Sequence, residues 1–230
     1  MQVAMPGFDT AAARVARSAF FVAMAAGVAL IARASIPYFF GDDLHEFLIE
    51  KLPLPHEQIW LTALHVHVVA AVFSLPACLL LLSRRFLRRW PRVHRILGRV
   101  VGGIILLLLV PSGTWLAFYA KGGAPGTLGF LLSGAIVAAA MTRGIVHARA
   151  RAFAAHRWCM LQVVGQLSVA ITSRALLVGF DRAGIAPDPA YILALWLPVL
   201  TSALIAAFLG GSRRRNHATP QVGLALNPAR

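Results

Sequence analysis

The chain has 230 residues, 59% of them hydrophobic and 13% charged, with 22 Lys and Arg against 8 Asp and Glu. A mean hydropathy of +0.73 leaves too little polar surface to solvate a water-soluble fold of this size. In a soluble protein the net charge of +14 would suggest nucleic acid, but here arginines punctuate long apolar runs and no recognition module accompanies them, so no nucleic-acid partner is expected. The two cysteines, Cys78 and Cys159, imply no disulfide framework.

Six apolar runs follow in chain order: Ala19 to Phe40, Trp60 to Ser83, Ile96 to Ala120, Thr127 to His147, Trp158 to Phe180 and Tyr191 to Gly210. Each is close to or above the ~20 residues a helix needs to cross ~30 Å of hydrocarbon. The first run follows Arg14 and Arg17 and is interrupted by Arg33 and Ala34, a pattern shared with cleaved signal peptides. Because the apolar character resumes at Ile36, Tyr38, Phe39 and Phe40, a retained anchor helix with Arg33 snorkelling outward is expected. Pro76 in the second run and Pro111 in the third are expected to bend their helices and free backbone carbonyls. The fold class is therefore an all-α polytopic bundle of six transmembrane helices. Its membrane domain covers 19–210, between an N-terminal segment 1–18 and a basic, flexible tail 211–230.

Charge sets the orientation. Arg14 and Arg17, the cluster Arg84 to Arg99, the group Arg143, Arg149, Arg151 and Arg157, and Arg213 to Arg215 all fall on one side of a six-span chain. Asp42, Asp43, Glu46, Glu50, Glu57, Asp181 and Asp188 fall on the other. The positive-inside rule then makes both termini cytoplasmic, and the arginines should meet anionic headgroups of a bacterial inner membrane.

Chemistry is concentrated in the histidines, a residue type that ligates haem and moves protons. His94 and His156 each begin a helix on the arginine-rich side and are each followed at once by arginine, Arg95 and Arg157. An apolar helix, a basic connection, a His-Arg pair and a second apolar helix recur in 60–120 and 127–180, which suggests a parallel duplication. On the fifth helix, Met160, Val163, Leu167, Ala170 and Arg174 share a face with His156 if the helix is continuous. An arginine inside a span must avoid lipid, so Arg174 is expected to face the interior and to draw His156 with it. His67, Ser74 and Cys78 make a polar line on the second helix, and His94, Gly98 and Gly102 make a small-residue groove on the third. By depth, His67 belongs with Arg174 and His94 with His156. The same histidines beside arginines also fit a plain interfacial anchor, and His45, His56, His147 and His217 are expected to be solvated or interfacial.

There is no His-Glu-x-x-His, Cys-x-x-Cys, phosphate loop or Gly-x-Ser-x-Gly, and no carboxylate within the middle of any span, so no catalytic residue is assigned. The residues themselves leave three readings. In the first, haem b or a quinone sits between His94 and His156, with Arg95, Arg99 and Arg157 neutralising propionates and no metal beyond the haem iron. In the second, a non-catalytic protein binds a lipid-like or anionic small molecule through His67, Ser74 and Arg174, or assists assembly or transport of another component. A third, ranked last, is a metal permease using His65 and His67 with His45 and His56.

The stretch from His67 to Leu177 resembles the bacterial membrane-protein family known as domain of unknown function 2306. The matching pieces are His67, Arg84-Arg85, His94-Arg95 with Gly98-Arg99, Gly122-Gly123 with Thr127 to Phe130, His156-Arg157 with Trp158 and Met160, and Arg174. The chain departs from the family pattern at Leu161-Gln162, where an arginine is common, and at Val100, where an aromatic often stands. The resemblance implies a multi-pass topology and the positions of the motifs, and no established activity.

Overall fold

The computed structural model describes residues 11–40 and 56–217, and these are helical apart from short turns. The helices are α1 (Ala11–Ser35), α2 (Pro37–Phe40), α3 (Glu57–Leu82), α4 (Arg84–Arg89), α5 (Pro91–Ile104), α6 (Val110–Ala117), α7 (Gly123–Arg149), α8 (Phe153–Leu167), α9 (Val169–Arg182) and α10 (Pro187–His217). A π-helical turn, Ile105–Leu109, joins α5 to α6 without a break in direction. Six stretches are long and apolar enough to cross a membrane: Ser18–Ser35, Glu57–Leu82, Pro91–Ala117, Gly123–Arg149, Phe153–Arg182 and Pro187–Ile205. The protein is a multi-pass helical bundle, as the apolar runs predict.

Four spans make the centre. The second span, α3, packs on α5 and α6 on one side and on α8 on the other, while α7 closes the ring between α6 and α8. The last helix, α10, lies outside α7, α8 and α9, and α1 leans on α3 and α9. In lipid the apolar effect that collapses a soluble core is missing, so close packing and hydrogen bonds must hold the helices together. Packing is supplied by a cluster that includes Ala70, Leu75 and Cys78 of α3, Val101 and Ile105 of the third span, Val137 and Met141 of α7, and Val163 and Val164 of α8. The hydrogen bonds converge on Gln166, which is 3% exposed. Its amide nitrogen donates to the Val199 carbonyl at 3.0 Å and to Ser202 Oγ at 3.0 Å, and its Oε1 accepts from Ser133 Oγ at 2.8 Å. One amide thus ties α7, α8 and α10 together.

Several expected boundaries move. The first helix starts at Ala11, inside the segment 1–18, and stops at Ser35 because Pro37 cannot continue its ladder; Arg33 is exposed in its last turn, where it complements the helix dipole. The last helix runs through Arg213–Arg215 to His217, so the boundary at 210/211 falls within α10. His45, Asp42, Asp43, Glu46 and Glu50, with residues 218–230 of the tail, lie outside the described residues. Pro76 lies within α3, and Pro111 is the second residue after the π turn. The fifth span is also interrupted, at Ser168, whose carbonyl accepts from Ile171 N three residues on at 3.0 Å.

Candidate functional site

His94 is the fourth residue of α5 and His156 the fourth residue of α8. Each is seated the same way: His94 N donates to the Trp90 carbonyl at 2.9 Å, and His156 N donates to the Ala152 carbonyl at 2.9 Å. Pro91 suits the first turn of α5, where its missing N–H costs nothing. Both imidazoles are half-buried and lie within electrostatic reach of each other.

The two rings differ in how their nitrogens are used. His156 Nδ1 donates to the Gly144 carbonyl of α7 at 2.9 Å, which fixes the tautomer of the neutral ring and leaves Nε2 with its lone pair. Glycine makes this approach easy. A Cβ at Gly144 would stand 3.2 Å from Cys159 Cβ and collide with the end of Met160. His94 lies with its ring centroid 6.4 Å from that of Phe86, and its Nδ1 is buried with no hydrogen-bond partner among the described residues. One turn along the same face, a Cβ placed on Gly98 would meet nothing within 4 Å, whereas one on Gly102 would press on Ile145 at 3.3 Å. The small-residue groove beside His94 is thus open at Gly98 and filled by α7 at Gly102. Arg95 and Arg99 are exposed around this end of the bundle, and Arg157 is half-buried.

The second set of expected residues is only partly gathered. His67 Nδ1 lies 3.3 Å from the Leu109 carbonyl and 3.3 Å from Ser112 Oγ. Ser112 Oγ donates to the Leu108 carbonyl at 2.5 Å, so it accepts from the imidazole. Ser74, two turns along α3, is fully buried, and its hydroxyl has no partner among the described residues. Arg174 is not brought to them. It is exposed on α9, with Nη1 donating to the Ala170 carbonyl of its own helix at 2.8 Å. The interior placement expected for it is not seen: Arg174 lies on an exposed part of α9, beyond the tightened turn at Ser168.

His65 stacks on Phe39 with centroids 4.8 Å apart, and His56 is exposed with a φ of 61° at the start of α3. Among the described residues no three His, Cys, Asp or Glu side chains gather as a metal-binding group. The residue that sequence reasoning passed over is Gln166; an amide amid apolar neighbours in mid-span signals a buried partner as firmly as a charge does.

The family model for predicted membrane proteins of the DUF2306 type matches residues 64–210. The chain belongs to the DUF2306 family. The match takes in His67, His94, His156, Gln166 and Arg174, and it leaves α1, α2 and the first turns of α3 outside the DUF2306 unit. Neither curated proteins nor solved structures give a match to the chain.

Proposed function

We propose that this DUF2306 protein resides in a bacterial inner membrane and binds haem b between His94 and His156, close to the arginine-rich face. The observation that carries the reading is the pairing of two imidazoles at the same position of two different helices, one with Nδ1 committed to a carbonyl and the other with a buried Nδ1 unmet. A metal-ligating histidine characteristically has one ring nitrogen held by a carbonyl so that the other is presented for coordination.

A parallel duplication explains why the two sites match. The offset that carries His94 to His156 also carries Val101 to Val163, which are 1% and 0% exposed. It carries Ile105, the start of the π turn, to Leu167, beside the interruption at Ser168. Two repeats related by an axis along the membrane normal would place the histidines across that axis.

In this reading His156 is oriented by Gly144, His94 faces it from α5, and Arg95, Arg99 and Arg157 offer cations for two propionates. Gly98 leaves room for a flat ring beside His94. A haem held there would supply one-electron redox chemistry, beside Met160 and Cys159, which pack against Gly144. The alternative of an anionic ligand held by His67, Ser74 and Arg174 draws no support from an arginine that is exposed on α9.

The test is an absorption spectrum of detergent-purified protein from haem-replete cells, before and after dithionite. A Soret band that shifts on reduction and is lost in His94→Ala and in His156→Ala, but kept in His65→Ala, is the expected result. A colourless protein that elutes as a single folded species would overturn the reading.

A further inference from the structure

Among the described residues, an apolar recess runs along the outside of α3. It has a volume of about 690 Å³, and its wall is almost wholly apolar. Val69, Phe73 and Leu80 form its floor, Phe39 and Phe40 close one end, and Leu97 of α5 borders the other. From Val68 to Leu80 the floor extends ~18 Å at ~1.5 Å per helical residue, more than half the thickness of a ~30 Å hydrocarbon core. The roof is the helix that lies outside the DUF2306 match: 11% of the first span is buried, against 28–33% of the others.

The chain itself says what stands at the Leu80–Leu97 end. Leu80 lies just before the break at Ser83, and Leu97 lies less than two turns into α5, so the connection between them must cross that end. This connection is α4, a short helix capped by Ser83 Oγ, which accepts from Phe86 N at 3.4 Å. Phe86 is buried, while Arg84, Arg85, Arg88 and Arg89 are all exposed, together with Leu87 and Trp90. Exposed arginines interleaved with an exposed leucine and tryptophan describe a helix lying in the headgroup layer. From Arg84 to Arg99 there are seven arginines and no carboxylate. Their counter-charge must come from outside the segment.

We infer that the recess holds one acyl chain of an anionic glycerophospholipid whose phosphate rests on the α4 arginines. Charge selects the headgroup, and the apolar channel beneath it selects a lipid over a free phosphate. Trp90 and Leu87 anchor α4 at the depth the phosphate occupies. The lipid fills the gap under α1, so it joins the appended first span to the DUF2306 unit.

The experiment is native mass spectrometry of the detergent-purified full chain, titrated separately with phosphatidylglycerol and phosphatidylcholine of the same chain length. We expect one phosphatidylglycerol to survive at activation energies that strip phosphatidylcholine. Replacing Arg84, Arg85, Arg88 and Arg89 with glutamine should cut the preference at least about tenfold, the scale set by removing several cations from an anionic surface. Replacement of the same four by lysine should keep it. Val69→Trp, which fills the channel from a lipid-facing position and leaves every charge in place, should abolish retention of the tightly held lipid. Equal retention of the two lipids by the wild type would overturn the inference. So would undiminished retention in Val69→Trp, because the arginines would then be binding annular lipid without the channel. Elution volume and thermal midpoint report whether each variant is folded.

Discussion

At the scale of single residues, two side chains carry more than their size suggests. Gln166 makes three hydrogen bonds to two other helices, and Gln166→Leu keeps the volume while losing all of them. Interhelical hydrogen bonds in membranes contribute ~0.6 kcal/mol on average and at most ~1.7, so the loss should be about 1–3 kcal/mol. A lowered midpoint of thermal unfolding in detergent, with the fold otherwise intact, is the outcome to look for. Gly144 has a different task. Gly144→Ala puts a methyl where Met160 and Cys159 already sit and pushes α8 off the carbonyl that orients His156. If haem is bound, this change should weaken the Soret band with both histidines still present. The sequence directs attention to His94 and His156 through their matching His-Arg pairs. It says little about Gly144, because the glycine matters only for what α8 brings against it.

Among the elements, the third span shows how the hydrogen-bond ladder of a helix can change in an unmarked stretch. Pro111 is a visible signal, but the π turn occupies Ile105–Leu109, five apolar residues with nothing in them to distinguish a π turn from an α turn. The tightened turn at Ser168 is equally silent in the sequence. Spans, by contrast, are legible almost in full, since their length and apolar character are fixed by the bilayer and not by neighbours. The π turn can be tested by comparing two changes at one site. Leu107 is 74% exposed, so Leu107→Ala should shift the thermal midpoint very little. Deleting Leu107 takes one residue out of the π turn, so the turn and the His67 contacts with Leu109 and Ser112 beyond it cannot both be kept as they are. The deletion should therefore lower the midpoint much more than the substitution.

For the molecule as a whole, the alternation of basic and acidic connections sets an orientation that labelling can read. Leu87 on α4 and Ile185 between α9 and α10 are both exposed, and the two native cysteines are buried. A membrane-impermeant maleimide applied to intact spheroplasts should modify Ile185→Cys at once and Leu87→Cys only after the membrane is broken. The reverse pattern would invert the topology. One connection also bears on how the protein is made. Only Ala150 to Ala152 separate α7 from α8, with Arg151 at a φ of 57°, and these two helices pack against each other along their length. So short a link gives neither helix a stable stopping place alone, and closing it costs little chain entropy. The two spans should leave the insertion machinery as a hairpin, with the Gly144–His156 contact already formed while α10 is still being synthesised.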